Sequence, residues 1–232
     1  MYSKKPTKLL GLKAIGFGCQ AWTAGMLFVA TLALAGDRVE VARFSQGALD
    51  GWQEKTFAGR TAYRLVTEDG RRVLRADSDG SASGLYREVA VDLDRTPYLS
   101  WSWKVANDLG RPAERTRGGD DFPARVYVIF SGGLAFWRTE TISYVWSSAQ
   151  PRGTRWPSAY TEQAQMVAVR GEDDEPGGWH QERRNVAADY RELFGGEPGE
   201  VDGVAVMTDT DNTDKRATAF YGDIDFTAKP RP

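Results

Sequence analysis

Cysteine and histidine are almost missing from this 232-residue chain, which has one of each, Cys19 and His180. Cys19 lies inside an apolar N-terminal stretch and not at its end, which argues against a lipid-anchoring signal. Beyond residue 35 no cysteine remains, so disulfides, thiolate catalysis and cysteine-ligated zinc are excluded together there. A Ser-His-Asp or metal-histidine mechanism would have to use His180. Its context, GWHQERRNV, carries no GxSxG or HExxH pattern, so His180 reads as a surface or packing residue. A phosphate-cradling loop is also lacking, because Gly118-Gly119 leads into a strand pattern and not a helix. Basic charge is in short supply: 30 Lys+Arg stand against 32 Asp+Glu. That balance argues against nucleic acid as a partner, since phosphate neutralisation needs a concentrated basic face. No internal repeat, low-complexity tract or second apolar segment is visible.

The first residues do carry a pattern. Lys4, Lys5, Lys8 and Lys13 precede the apolar run AWTAGMLFVATLALAG, which ends on Ala33-Leu34-Ala35, and no acid comes before Asp37. A basic region, an apolar region and an Ala-x-Ala site in that order predict a signal peptide over 1–35 and a periplasmic or secreted protein. The alternative is a single retained helix from Ile15 to Ala35, just long enough at about 20 residues. After cleavage no stable membrane span is expected. Setting aside the four lysines leaves 26 basic against 32 acidic groups, a formal charge of about −6. Residues 36–232 are expected to form one domain.

Most of that domain reads at period two. Runs at 39–44, 62–68, 72–77, 85–93, 98–105, 124–130, 141–148, 164–171, 203–209 and 218–226 are rich in β-branched and aromatic residues, and turn clusters such as EDG, DSDGSASG and TDTDNTD separate them. This spacing predicts an all-β, two-sheet antiparallel β-sandwich, jelly-roll-like. The exception is NVAADYRELFGG, where Asn185 can cap a helix that presents Val186, Tyr190, Leu193 and Phe194 on one side and stops at Gly195. Trp101 and Trp103 alternate with polar residues and predict core. Trp52, Trp137, Trp156 and Trp179 sit in turn-rich context and are candidates for an exposed platform.

The stretch GGDDFPARVYVIF (118–130) raises the question of chemistry most directly. Adjacent carboxylates on an extended chain point to opposite faces, so Asp120 and Asp121 are expected to diverge. One would cap the turn, and the other would face a cation, an arginine or a ligand hydroxyl, with an ion pair to Arg125 as the plain structural role. Val126, Val128 and Phe130 read as the core face, and Arg125, Tyr127 and Ile129 as the other. TDTDNTD concentrates Asp209, Asp211, Asn212 and Asp214, which invites calcium. It fails as an EF-hand, because Asp214 stands where glycine is required and Phe220 where the bidentate glutamate belongs. Hydrogen-bonded turn chemistry is the competing explanation. The acidic stretch 172–179 reads as a solvated loop.

FSQGALDGW (44–52), SASGLYREVAVDL (81–93), LSWSWKV (99–105), GGDDFPARVYVIF, NVAADYRELFG and VAVMTDTDNTDKRATAFYGDIDF together resemble the bacterial exported proteins of domain of unknown function family 3047. The resemblance implies one domain and lends no catalytic residues. A more general similarity is to jelly-roll carbohydrate-binding modules, on the opening Phe44-to-Trp52 segment and the closing YGDIDF. It implies a ligand face of aromatics and polar groups, with Asp223 or Asp225 beside a structural calcium.

Three readings follow. The first is a non-enzymatic exported sandwich that binds a carbohydrate or another envelope ligand, with Asp120, Asp121, Arg125, Tyr127, Trp146, Asp209, Asp211 and Asn212 around one concave face. Trp146 is included because Ile142, Tyr144 and Trp146 share a side, which would serve equally as core. The second is a polysaccharide hydrolase or lyase whose acids, for example Asp121 and Asp209, come from different strands and face each other across a cleft. The third is an envelope structural or assembly protein without a small-molecule site. No cofactor is expected apart from the open case of a structural calcium, and no oligomeric state is assigned.

Overall fold

The computed structural model describes residues 38–130 and 139–228, all of them within one unit, Leu34–Pro232. The stretch expected to be a signal peptide and Trp137 lie outside the described residues. One seven-stranded sheet runs in the order β1 (Arg38–Ala42), β14 (Ile224–Thr227), β6 (Tyr98–Val105), β13 (Arg216–Tyr221), β4 (Arg71–Asp79) and β3 (Ala62–Glu68), and β11 (His180–Asn185) pairs along β6. The second seven-stranded sheet runs β2 (Trp52–Ala58), β5 (Ala82–Val91), β12 (Val201–Asp209), β7 (Ala124–Phe130), β8 (Glu140–Trp146), β10 (Ala164–Arg170) and β9 (Arg155–Pro157). Among the described residues no helix is long and apolar enough to cross a membrane.

The core is made by alternation. Leu99, Trp101, Trp103 and Val105 on β6 are fully buried, as are Val126 and Val128 on β7, Val204 and Val206 on β12, and Ile142 and Tyr144 on β8. Their rings interlock between the sheets: Trp101 stands edge-on to Trp103 at 5.4 Å, Trp101 meets Tyr144 at 5.4 Å, and Trp103 meets Trp146 at 6.1 Å. Truncating one of these aromatics to alanine would cost about 3–5 kcal/mol. Among the described residues the one α-helix, α1 (Val186–Phe194), forms where the sequence predicts it. Asn185 Oδ1 accepts from the Ala188 amide at 3.0 Å, and Gly195 ends the helix at φ 77° in the left-handed region, which a side chain would strain. The helix buries Val186, Ala187 and Tyr190 in the main core, and the Tyr190 ring lies 4.8 Å from that of Phe130.

The expected antiparallel sandwich holds with one departure, since β8 and β10 pair in parallel. Strands β2, β9 and β11 were not legible, because β2 and β11 are polar at most positions and β9 is three residues long. β11 is held by polar contacts: Trp103 Nε1 donates to Glu182 Oε1 at 3.1 Å, and Arg170 Nε donates to the same oxygen at 2.6 Å. The expected 218–226 strand divides at Gly222, whose amide turns to the Ser102 carbonyl at 2.8 Å.

The expected aromatic platform is corrected at each described position. Trp156 is buried in a second cluster with Phe122, Val145, Met166 and Ala168. Trp52 packs on the main core, 5.5 Å from Phe44. Trp179 is half-buried beside Phe220, and its Nε1 donates to Asp69 at 3.0 Å.

Candidate functional site

With Val204 and Val206 turned into the core, β12 sends Ala205, Met207 and Asp209 to the outer face of the second sheet. On β7 the same alternation sends Arg125, Tyr127 and Ile129 outward, as the sequence predicts. Register then fixes the neighbours: Ala205 lies opposite Tyr127 on one side and Tyr86 on the other, Met207 opposite Arg125 and Gly84, and Asp209 opposite Ala82. Small residues therefore form the floor, with larger ones beside them. The chain leading into β7 contributes Phe122 to the second apolar cluster and so covers part of this face.

What stays uncovered is a groove. One depression of about 480 Å³ is floored by Gly84, Ala205 and Ala164 and flanked by Tyr86, Phe57 and Lys55. A second of about 320 Å³ shares Phe57, Tyr127, Ala164 and Met207 with it and reaches Asp120, Arg125, Asp209, Asp211 and Asn212. The two are continuous through these shared residues. Among the described residues the exposed large hydrophobic side chains are Phe57 (64%) and Tyr160 (52%), and both line this groove. Cations ride on both rings, with Lys55 Nζ 5.9 Å from the Phe57 centroid and the Arg117 guanidinium 5.3 Å from that of Tyr160. The Tyr160 hydroxyl donates to Asn212 Oδ1 at 3.3 Å.

At the acidic end Asp120 and Asp121 diverge. Asp121, fully buried, accepts from the Asn212 amide at 3.1 Å and from the amide and hydroxyl of Thr213 at 2.7 and 2.6 Å, and so caps the turn after β12. Asp120 turns the other way, its Oδ2 lying 3.5 Å from Arg125 Nη1. The ion pair expected between Arg125 and one of these two acids falls to Asp120 and is the weaker of two, because Arg125 is bound chiefly by Asp209. Arg125 Nε donates to Asp209 Oδ1 at 2.8 Å and Nη2 to Oδ2, while Nη2 also donates to the Asp120 carbonyl. The guanidinium packs over Phe122, 4.2 Å from the ring centroid.

Both members of the Arg125–Asp209 pair are more than nine-tenths buried. Burial pushes the Asp209 carboxyl up to about 7, reinforced by the charges of Asp120 and Asp121 and opposed by Arg125. Burial likewise raises Asp120 and, with the charge of Asp121, raises Asp211. Tyr127 is pushed up to about 12, again chiefly by burial, so its hydroxyl stays protonated. Asp121 and Asp209, the pair considered for hydrolysis, each already hold several donors, and neither presents a free carboxylate across a cleft.

Six of the eight expected site residues, Asp120, Arg125, Tyr127, Asp209, Asp211 and Asn212, therefore line one groove, while Asp121 is buried behind it as a turn cap. Trp146 does not line it. It is 1% exposed in the inter-sheet core, between Trp103 and His180, whose ring meets it edge-on at 5.1 Å. Its side of β8 is the core side, the alternative that alternation alone left open. His180 itself is a packing residue, its pKa lowered by burial and by Arg170. Phe57, Tyr160, Lys55, Tyr86 and Met207 were missed. Phe57 left a signal, an aromatic among the polar residues of WQEKTFA, whereas Tyr160 lies in a loop without periodicity.

Two strand layers with a groove across the outer face of one define a jelly-roll-like β-sandwich with a candidate ligand face. The chain belongs to the family described as Protein of unknown function (DUF3047), whose model matches residues 50–225. No curated protein matches it. Similar solved structures include the glycoside hydrolase domain of an Endo-D from Streptococcus pneumoniae R6 (10% identity, 78% of this chain, 22% of that one, TM-score 0.40). Another comes from work on the promiscuous specificity of carbohydrate-binding modules of the β-sandwich superfamily (14% identity, 83% and 63% coverage, TM-score 0.40). A third is the xyloglucanase domain of NopAA, a type three effector from Sinorhizobium fredii, in complex with cellobiose (10% identity, 77% and 93% coverage, TM-score 0.45). The chain spans about a fifth of the first of these proteins and under two thirds of the second. These are likenesses of fold.

Proposed function

We infer that the protein is an exported, non-enzymatic sandwich that binds a glycan chain in the groove of its second sheet. The observation that carries this reading is the coincidence of Phe57 and Tyr160, exposed aromatics among the described residues, on one concave face. A soluble sandwich gains nothing in stability from a phenylalanine left 64% in water, whereas a pyranose ring has an apolar face that such a ring can cover. The small floor at Gly84, Ala205 and Ala164 leaves room for the sugar, and Asp211, Asn212 and Lys55 supply acceptors and donors for its hydroxyls. Export rests on the N-terminal pattern alone. A glycan array probed with the full-length chain tests the function, and binding to a defined set of glycans is expected. Binding to no glycan, with and without calcium, would overturn it. Fractionation of the native host tests export by locating the protein in the periplasm or the medium.

A further inference from the structure

We propose that the glycan recognised in the groove is acidic, a chain carrying uronic-acid residues whose carboxylates are received by Lys55 and Arg117. The inference rests on the glycan reading and deepens it. Each of the two exposed aromatics carries one of these cations, Lys55 Nζ 5.9 Å from the Phe57 centroid and the Arg117 guanidinium 5.3 Å from that of Tyr160. Neither cation has a carboxylate partner among the described residues. Exposure alone does not account for that, because Arg60, Arg191 and Arg216 are well exposed and each is paired with an acid. The two unpaired charges therefore stand on the two rings that a sugar would cover.

Arg117 is preset for a carboxylate. It stands in the 3-10 turn Arg117–Gly119 ahead of β7, and its Nε donates to the Ala159 carbonyl at 3.3 Å, beside Tyr160. Its two terminal nitrogens have no partner among the described residues, and that pair of donors matches the two oxygens of a carboxylate. Lys55 is a compact charge on a flexible stem, which lets it follow a ligand rather than fix it. A pyranose stacks on the open face of an aromatic ring, and the carboxylate of a uronic acid projects from the edge of the sugar, past the aromatic and toward the cation. A neutral sugar has only a hydroxymethyl group there, which leaves both cations without a counter-charge. The groove's own acids do not supply one either. Asp120 and Asp209 are turned to Arg125, and the cation that acts on the half-buried Asp211 is again Arg125. Carboxylates are thus received at the two rings, and hydroxyls at Asp211 and Asn212.

The test is calorimetric titration of the full-length chain with oligosaccharides of polygalacturonate, alginate and hyaluronate, each in native form and after reduction of its carboxylates to primary alcohols. Reduction keeps the sugar rings and their stacking faces and removes only the charge. At least one native form should bind about tenfold tighter than its reduced counterpart, since an exposed ion pair contributes up to about fivefold and two are formed. Arg117→Gln and Lys55→Gln should each weaken binding of the native form by up to about fivefold and of the reduced form much less, with the thermal midpoint unchanged. A merely structural role would weaken both forms together. Equal affinity for native and reduced forms would overturn the proposal, as would a preference that survives in the folded double variant. Binding of neutral glycans alone would sink this inference and leave the glycan reading standing, whereas binding of no glycan, here or on the array, would sink the glycan reading itself.

Discussion

Replacing Arg125 with leucine should destabilise the protein by about 3–5 kcal/mol, the range for breaking a buried ion pair from one side. The size follows from what the guanidinium holds. Arg125 is 4% exposed and Asp209 2%, and the arginine donates to both Asp209 oxygens and to the Asp120 carbonyl. Its removal strands three almost fully buried acceptors, each worth about 1–3 kcal/mol when unmet, although protonation of Asp209 and water from the groove would recover part of that loss. The van der Waals contact with Phe122 is lost as well. Urea unfolding followed by tryptophan fluorescence, in EDTA, reads the change. With a slope of about 2 kcal/mol per molar, the midpoint should fall by roughly 2 M. Adding Asp209→Leu should restore part of the loss, since the second leucine removes the stranded charge, and the coupling should be about 1–3 kcal/mol. A single-variant cost below about 1 kcal/mol, or strict additivity in the double variant, would refute the reasoning.

Glu114 predicts a pH dependence. It is fully buried, accepts from the Ser148 amide at 2.7 Å and from the Ser147 hydroxyl, and is raised by burial to about 7. The folded state therefore holds its proton where the unfolded chain, near 4.5, has lost it, so this group's contribution is complete below about pH 4.5 and is lost as pH rises to 7. The stability of the wild type relative to Glu114→Gln should fall by about 3 kcal/mol across that window, and parallel denaturation curves at pH 5 and pH 8 would contradict the assignment. Asn185→Ala should cost about 1 kcal/mol by removing the cap of α1, read as a lower thermal midpoint. Gly119→Ala should cost about 1–3 kcal/mol, because its Cβ would lie 2.6 Å from Ala113 backbone atoms, and a variant as stable as the wild type would count against that packing.

The parts legible in the sequence were those fixed by local period. Val126, Val128 and Phe130 turned inward and Arg125 and Tyr127 outward because a strand of alternating residues has only two faces. α1 was legible because Asn185 and Gly195 mark its ends. Asp120 and Asp121 diverge as expected but for a different reason, since Asp120 ends a 3-10 turn at φ −76°, ψ 51° and the strand begins only at Ala124. Pairing was not legible: Asp209 meets Arg125 only because β12 lies beside β7, across more than eighty residues of chain, and no local signal encodes that neighbour. Trp146 was misplaced for a related reason, since period two gives two faces but not which of them is covered. The groove's aromatics were the least legible, because Tyr160 reaches the site from a loop and Phe57 from a polar strand.

Glycan binding in the groove, as proposed, depends on Phe57 and Tyr160 as the stacking surface. Calorimetric titration of the best glycan from the array into the wild type, Phe57→Ala and Tyr160→Ala tests it most directly. Stacking contributes about 0.5–1.5 kcal/mol per aromatic beyond area burial, so each variant should bind roughly two- to tenfold more weakly with its thermal midpoint unchanged. Wild-type affinity in both folded variants would show that the groove is not the binding face.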